Sequence, residues 1–113
     1  MSDIKDIATA LAAFQREMPV LKKTGQNFTK GNAATIGDVV TIARHGAKHG
    51  LSYVQKVSRD EMGAYLESVM MHTSGQCLSS GLYPVIPEKD SPSSFGAAVT
   101  FARKNSLMAL FGI

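Results

Sequence analysis

The sequence contains little cysteine and no long apolar run, and both shortages limit what the protein can be. Cys77 is the single cysteine, so no disulfide can form within the chain, and a reducing, cytosolic setting is expected. No uninterrupted apolar stretch approaches the roughly 18 residues that a membrane-spanning helix needs. The N-terminus carries early acids, Asp3 and Asp6, which argues against a secretory signal. We expect residues 1–113 to form a single domain with one core.

Recognisable catalytic motifs are also scarce. Gly25, Gly31 and Gly37 lack the spacing and the lysine placement of a phosphate-binding loop. No pair of carboxylates stands out as a general acid and base. The sequence therefore predicts a binding protein that uses no cofactor, rather than an enzyme.

Histidine and cysteine leave a metal- or thiol-dependent enzyme open as an alternative. His45 and His49 lie one helical turn apart and could share a metal, with His72 or Cys77 as the third ligand. Cys77 could also be a nucleophile with His72 as its base, although no orienting group or oxyanion site can be identified. A basic helix face explains the first pair of histidines more simply, so we predict no metal site and no catalytic residue.

Charge is distributed unevenly along the chain, whose formal net charge is +3. Residues 60–90 carry five acids against Lys89. Residues 22–59 carry seven cations against Asp38 alone: Lys22, Lys23, Lys30, Arg44, Lys48, Lys56 and Arg59. This asymmetry favours one surface that binds a polyanion and an acidic surface elsewhere. Solvated charge clusters with no ligand are the alternative interpretation.

Hydrophobic periodicity and turn residues predict two helices, three antiparallel strands and a final helix. Thr35 is expected to cap the second helix with Asp38, and Ser91 to cap the last one. Pro84 and Pro87 are expected to close the third strand. The predicted boundaries are residues 3–19 and 35–50 for the first helices, 51–59, 64–73 and 76–83 for the strands, and 91–113 for the last helix. The expected fold is α+β: a β-β-β-α core with a three-stranded antiparallel sheet packed on a long C-terminal helix, preceded by two N-terminal helices.

The last helix has two adjacent cations, Arg103 and Lys104, in an otherwise uncharged sequence. Spacings of three and four place one set of residues on a common face: Ala98, Val99, Ala102, Ser106, Ala109, Leu110 and Ile113. Phe101, Met108 and Phe111 add a second apolar side, so most of the circumference is expected to be covered. Arg103 and Lys104 interrupt it. They predict a contact with a ligand, and a pair of snorkelling side chains is the alternative.

A polar, basic connector is predicted over residues 20–34. Lys22, Lys23 and Lys30 are interleaved with Phe28, so the lysines could follow a phosphate backbone while the ring meets a base. The alternative is a surface loop whose Phe28 side chain enters the core.

Five segments of the chain follow a known pattern in order: residues 12–19, 27–36, 49–52, 72–75 and 96–113. Together they resemble the Erf (essential recombination function) family of phage single-strand annealing proteins. Residues 12–19 are similar to its first helix, 27–36 to the segment leading into its second helix, 49–52 to its Lys-His-Gly-Leu-Ser turn, and 72–75 to its His-x-Ser-Gly hairpin. Residues 96–113 resemble its Gly-Ser-Ala-x-Thr-Tyr-Ala-Arg-Arg-Tyr-x-Leu…Leu-Gly-Ile helix most closely. Here Phe101 replaces the first tyrosine, and Lys104 replaces the second arginine.

The resemblance implies a non-enzymatic, ATP-independent DNA annealing protein for phage recombination in the cytoplasm of a bacterial host. It implies a β-β-β-α core shared with eukaryotic annealing proteins, assembled into a homo-oligomeric ring or helical filament. Single-stranded DNA would lie in a basic groove, and a phage exonuclease and a host single-strand binding protein are candidate partners. Family members usually carry a further C-terminal segment, so these residues are expected to be the core of a longer protein.

The resemblance places basic residues of the last helix on the DNA, which makes Arg103 and Lys104 the first predicted phosphate contacts. The cationic stretch supplies the others: Lys22, Lys23, Lys30, Arg44, Lys48 and Lys56. From another class of function, the same cations could form the basic face of a protein-interaction or assembly module. An annealing protein would accelerate the pairing of complementary DNA strands, whereas an assembly module would not, so a pairing assay distinguishes these two functions.

Overall fold

The predicted α+β architecture is confirmed by a computed structural model, which describes residues 3–19 and 34–113. Two helices precede a three-stranded antiparallel sheet, and a long helix follows it. The elements are α1 (Lys5–Glu17), α2 (Ile36–Arg44), a 3₁₀ segment (His45–His49), β1 (Leu51–Asp60), β2 (Gly63–His72), β3 (Cys77–Val85) and α3 (Pro92–Phe111). In this part of the chain, no helix is long and apolar enough to span a membrane.

The start of α1 agrees with the prediction to within two residues. Asp3 Oδ1 accepts a hydrogen bond from Lys5 N at 2.9 Å, and the helix begins at Lys5. The N-cap residue is Ile4, and no side chain forms a cap hydrogen bond there. Ile7, Ala10 and Phe14 form the buried stripe of this helix.

The α2 helix begins with the capping box that its sequence predicts. Thr35 Oγ1 accepts a hydrogen bond from Asp38 N at 3.1 Å, while Asp38 Oδ2 accepts one from Thr35 N at 2.8 Å. The helix is shorter than predicted, because its α-helical part ends at Arg44 and a 3₁₀ segment continues to His49. Gly50 then reverses the chain with φ 75°, and a Cβ there would lie 2.8 Å from Thr73 Oγ1.

Thr35→Ala is expected to lower the free energy of unfolding by about 1 kcal/mol, because it removes the hydroxyl that caps the first turn of α2. Urea unfolding followed by circular dichroism measures the change. Thr41→Ala is the matched control, since Thr41 is an exposed threonine inside the same helix. Equal losses in the two variants would contradict a specific contribution from the cap.

The sheet has the order β1-β2-β3, and the third strand is longer than predicted. The expectation that Pro84 closes it is wrong: Pro84 pairs with Tyr65, and Val85 pairs with Ala64. An edge strand tolerates a proline where the missing N–H would face away from its neighbour. A register shift interrupts the ladder between Glu67 and Val69.

The helix-facing side of the sheet follows the alternation of β2. Ala64, Leu66, Ser68 and Met70 are buried, whereas the residues between them are half-buried on the other side. Because paired residues of antiparallel strands share a face, the register assigns Tyr53, Gln55, Val57 and Arg59 of β1 to the helix-facing side.

The α3 helix begins as predicted but ends at Phe111, two residues before the predicted end, and its exposed side differs. Ser91 Oγ accepts a hydrogen bond from Ser94 N at 3.2 Å. Ala109, which belongs to the predicted face, is exposed, whereas Leu107, which belongs to neither predicted set, is fully buried. Phe101 is 58% exposed, so the expectation of a covered second side fails there. The reason is that α3 packs on the sheet and on α2, which leaves part of its circumference uncovered.

Phe111 joins three elements at the centre of the core. Its buried ring meets Phe14 of α1 edge-on at 5.4 Å between centroids and Tyr53 of β1 at 5.8 Å. The same cluster includes Val39 of α2 and Met70 of β2. This packing fixes the C-terminal half of α3 over the sheet.

Candidate nucleic-acid interface

Side chains of β1 and α3 meet at three levels along the molecule. Tyr53 contacts Phe111, Gln55 contacts Arg103, and the Arg59 guanidinium lies 5.8 Å from the centroid of the Phe95 ring. In these contacting pairs, the residue numbers on β1 increase while those on α3 decrease, so the two elements run antiparallel. A strip of side chains with contacts at these three places therefore joins the edge strand to the helix.

The part of this strip formed by residues 55–59 of β1 and 95–103 of α3 combines two arginines with apolar side chains. Val57, on the helix-facing side of β1, remains 51% exposed because α3 packs chiefly on β2 and β3. Val99 lies on α3 between the levels of Phe95 and Arg103, and it is half-buried. We define the α3–β1 surface by six residues: Gln55, Val57, Arg59, Phe95, Val99 and Arg103.

Arg103 is held from one side only. Its Nε donates a hydrogen bond to Gln55 Oε1 at 3.1 Å, and the residue is half-buried. Arg59 is exposed and rests on the Phe95 ring. Within residues 3–19 and 34–113, no acidic side chain forms an ion pair with either arginine. Among the described residues, neither guanidinium group therefore has an acidic side chain that compensates its charge in an ion pair.

The spacing of the two arginines suits an extended polyanion. Gln55, which contacts Arg103, and Arg59 are four residues apart on one face of β1, a separation of about 13 Å along a strand. Guanidinium groups bind phosphate oxygens through paired N–H donors. A chain of phosphates lying along β1 could meet both groups in turn, with apolar side chains between them.

Lys104 points to a different part of the molecule. Its Nζ donates a hydrogen bond to Ala34 O at 3.3 Å and lies 5.5 Å from the centroid of the Phe101 ring. Ala34 leads into α2, so consecutive cations of α3 face β1 and α2 respectively. The two adjacent cations, Arg103 and Lys104, therefore lie on two different surfaces.

The other predicted DNA contacts are dispersed. Lys56 lies on the sheet face opposite Gln55 and forms an ion pair with Glu67 at 3.5 Å. Arg44 and Lys48 are exposed, at the end of α2 and in the 3₁₀ segment. The predicted contacts in the connector, Lys22, Lys23 and Lys30, lie outside the described residues, as does Phe28.

A family model described as the ERF superfamily matches residues 7–113. The chain belongs to the ERF superfamily. This confirms the resemblance carried by the sequence motifs, and the match includes every residue of the α3–β1 surface. No curated protein and no solved structure matches the chain. Superfamily membership indicates a role in phage single-strand annealing and recombination, and an interaction with single-stranded DNA.

Of the six residues of the α3–β1 surface, Arg103 alone is predicted from the sequence as a site residue. Arg59 was counted among the cations but was not assigned to the site. A signal was available: Gln55, Val57 and Arg59 alternate on one face of a predicted strand. Which face meets the last helix is decided by tertiary packing, and the sequence pattern leaves it open.

The histidines and the cysteine of the ERF-superfamily chain have other contacts. His49 Nε2 lies 2.9 Å from Glu17 Oε2, and His72 Nδ1 accepts a hydrogen bond from Ser74 N at 3.1 Å. The Cys77 thiol is exposed and lies 3.8 Å from Gly75 O. Among the residues that the structure describes, no three potential ligands cluster in a way that could hold a metal.

On the opposite face of the sheet, Glu67 is stabilised in its charged form. Ser79 Oγ donates to Glu67 Oε2 at 2.6 Å, and Lys56 Nζ lies 3.5 Å from Oε1. The hydrogen bond, followed by the lysine charge, lowers the pKa of Glu67 below its ordinary value. A carboxylate with a lowered pKa stabilises the fold above the unfolded-state pKa, and this contribution disappears as pH falls through the folded-state pKa.

Ser79→Ala is expected to raise the pKa of Glu67 toward its ordinary value, because the strongest stabiliser of the carboxylate is lost. Titration of the side-chain carboxyl carbon by NMR measures the shift. Ser52→Ala, an exposed serine on the same sheet face, is the control and is expected to leave this pKa in place. An unchanged pKa in Ser79→Ala would contradict the assigned cause.

Proposed function

We propose that this protein binds single-stranded DNA along the α3–β1 surface and anneals complementary strands without ATP, acting as a non-enzymatic phage recombinase. The observation that carries the proposal is the pair of guanidinium groups without an acidic ion-pair partner among the described residues, Arg59 and Arg103, on one strip of the ERF-superfamily core. The proposed place of action is the cytoplasm of the bacterial host.

The composition of the α3–β1 surface suits annealing. An annealing protein must neutralise the phosphate backbone while leaving the base edges free to pair with a second strand. Arg59 and Arg103 supply cations for phosphates. Val57 and Val99 supply apolar contacts that cannot read base identity by hydrogen bonding. Binding should therefore depend strongly on salt and weakly on sequence.

Further parts of the proposal concern the assembly. We propose a homo-oligomer, a ring or a helical filament, in which successive α3–β1 surfaces form a continuous basic groove.

The remaining predicted DNA contacts are secondary sites: Lys104, Lys22, Lys23, Lys30, Arg44, Lys48 and Lys56. A phage exonuclease and a host single-strand binding protein are proposed partners.

Fluorescence quenching between two complementary labelled oligonucleotides tests the function. The protein is expected to accelerate pairing without nucleotide or metal, and the acceleration should diminish as salt rises. A non-complementary pair controls for aggregation. If pairing proceeds at the protein-free rate while a protein partner binds the basic face, the assembly-module alternative is correct and annealing is wrong.

A further inference from the structure

Gln55 holds Arg103 at two points. Its Oε1 accepts a hydrogen bond from Arg103 Nε at 3.1 Å, and its Nε2 donates to Arg103 O at 3.0 Å. The amide orientation is fixed by chemistry, since Arg103 Nε can only donate and a carbonyl oxygen can only accept. One side chain of β1 therefore binds both the backbone and the head group of a single helical residue.

A chain of three serine hydroxyl groups, two of them buried, fixes Gln55 in turn. Gln55 Nε2 also donates to Ser68 Oγ at 3.0 Å, and Ser68 Oγ lies 2.7 Å from Ser106 Oγ. Ser106 Oγ donates to Ser80 Oγ at 3.2 Å, so the network crosses from β1 through β2 and α3 to β3. Ser68 and Ser106 are buried, and networks of this kind restrict side-chain motion because unsatisfied polar groups are costly there.

Part of this hydrogen-bond network lies where the pairing of β2 with β3 is irregular. At the register shift between Glu67 and Val69, Ser68 N donates to Ser80 Oγ at 3.0 Å. A serine hydroxyl thus replaces a backbone partner and brings β3 into the network. The irregularity places hydroxyl groups under α3 at the level of Arg103.

We propose that Gln55 is a positioning residue for DNA binding, which fixes Arg103 so that its terminal Nη groups are presented to a phosphate. This inference rests on the proposed function. An arginine already held at Nε loses less side-chain freedom when its remaining donors bind an anion. Gln55 needs no contact with DNA for this role, because it acts through Arg103.

A double-mutant cycle on single-stranded DNA binding tests the role. Gln55→Met keeps the side-chain length but removes both hydrogen bonds to Arg103 and the one to Ser68. It is expected to weaken binding about two- to tenfold, the cost of ordering one long side chain. In an Arg103→Ala background, the same change should have no further effect. Equal losses in both backgrounds would overturn the proposal, as would unchanged affinity in the single variant.

The salt dependence separates positioning from loss of charge. Gln55→Met should keep the wild-type slope of log affinity against log salt, whereas Arg103→Ala should reduce its magnitude by about 0.7. A slope reduced equally by both variants would overturn the positioning role. Circular dichroism melting controls for the fold.

An NMR measurement tests the hold on Arg103 without DNA. The Nε–H proton of Arg103 is expected to exchange slowly with water in the wild type and faster in Gln55→Met. Equal exchange rates would overturn the proposal even where DNA binding is normal. If the wild type fails to bind DNA while the Nε–H is protected, the proposed function is wrong, and the positioning role falls with it.

Discussion

Replacing Arg59 and Arg103 together by alanine is expected to weaken single-stranded DNA binding on the order of 10- to 100-fold at 0.1 M salt. Both guanidinium groups lie on the α3–β1 surface without an acidic partner among the described residues. Each phosphate contact that is lost also removes the release of bound counterions. The magnitude of the salt slope should therefore fall by about 1.4 for two contacts. Fluorescence anisotropy with a labelled oligonucleotide, titrated at several salt concentrations, measures both quantities.

A matched control removes two cations from another surface. Lys5 and Arg16 are exposed on the first and last turns of α1, and Lys5→Ala with Arg16→Ala changes the net charge equally. This variant is expected to bind DNA with an affinity close to that of the wild type. If both double variants lose the same affinity, binding follows total charge and the α3–β1 surface has no special role.

Phe111→Ala is expected to destabilise the fold by about 3–5 kcal/mol, a large part of the stability of a domain of this size. The ring is fully buried and joins Phe14 to Tyr53, so its removal leaves a cavity between α1, β1 and α3. Urea unfolding measures the loss. In DNA-binding assays, this variant should fail through unfolding rather than through a changed surface.

Phe101→Ala is the control on the same helix. Phe101 is 58% exposed, so its truncation should cost less than about 1 kcal/mol. Comparable losses in the two variants would contradict the packing of α3, because they would require Phe101 to be covered as completely as Phe111.

Local chemistry made much of this fold predictable. The Thr35–Asp38 capping box, the serine cap of α3 and the alternation of β2 each depend on neighbours within a few residues. Such signals can therefore be recognised from a short stretch of sequence alone. The order of elements followed from them, because three strands joined by short turns pair as an antiparallel meander.

The exposed side of α3 could not be predicted in the same way. Phe101, Leu107 and Ala109 have an apolar character that suits either a buried or an exposed position on a helix. Their exposure depends on where α3 crosses the sheet and which side α2 covers. The sequence predicts that Pro84 closes the third strand for a related reason, since its place inside an edge strand depends on strand order.

The chemistry of the candidate site could be predicted from the sequence, but its geometry only in part. The resemblance identified Arg103 through a matching helix motif, and its partner Gln55 lies 48 residues away in the chain. Lys56 and Gln55 are adjacent in sequence but lie on opposite sheet faces. Charge counting treats Lys56 and Arg59 alike, whereas the register of β1 places only Arg59 on the side of α3.

Site-specific photo-crosslinking tests the location of the DNA most directly. Val57 and Val54 are both exposed valines of β1, at 51% and 40%, and they lie on opposite faces of the sheet. With p-benzoylphenylalanine at either position, irradiation in the presence of single-stranded DNA should give a covalent adduct at position 57 and little or none at position 54. An adduct at position 54 alone, or equal yields at both, would contradict binding along the α3–β1 surface.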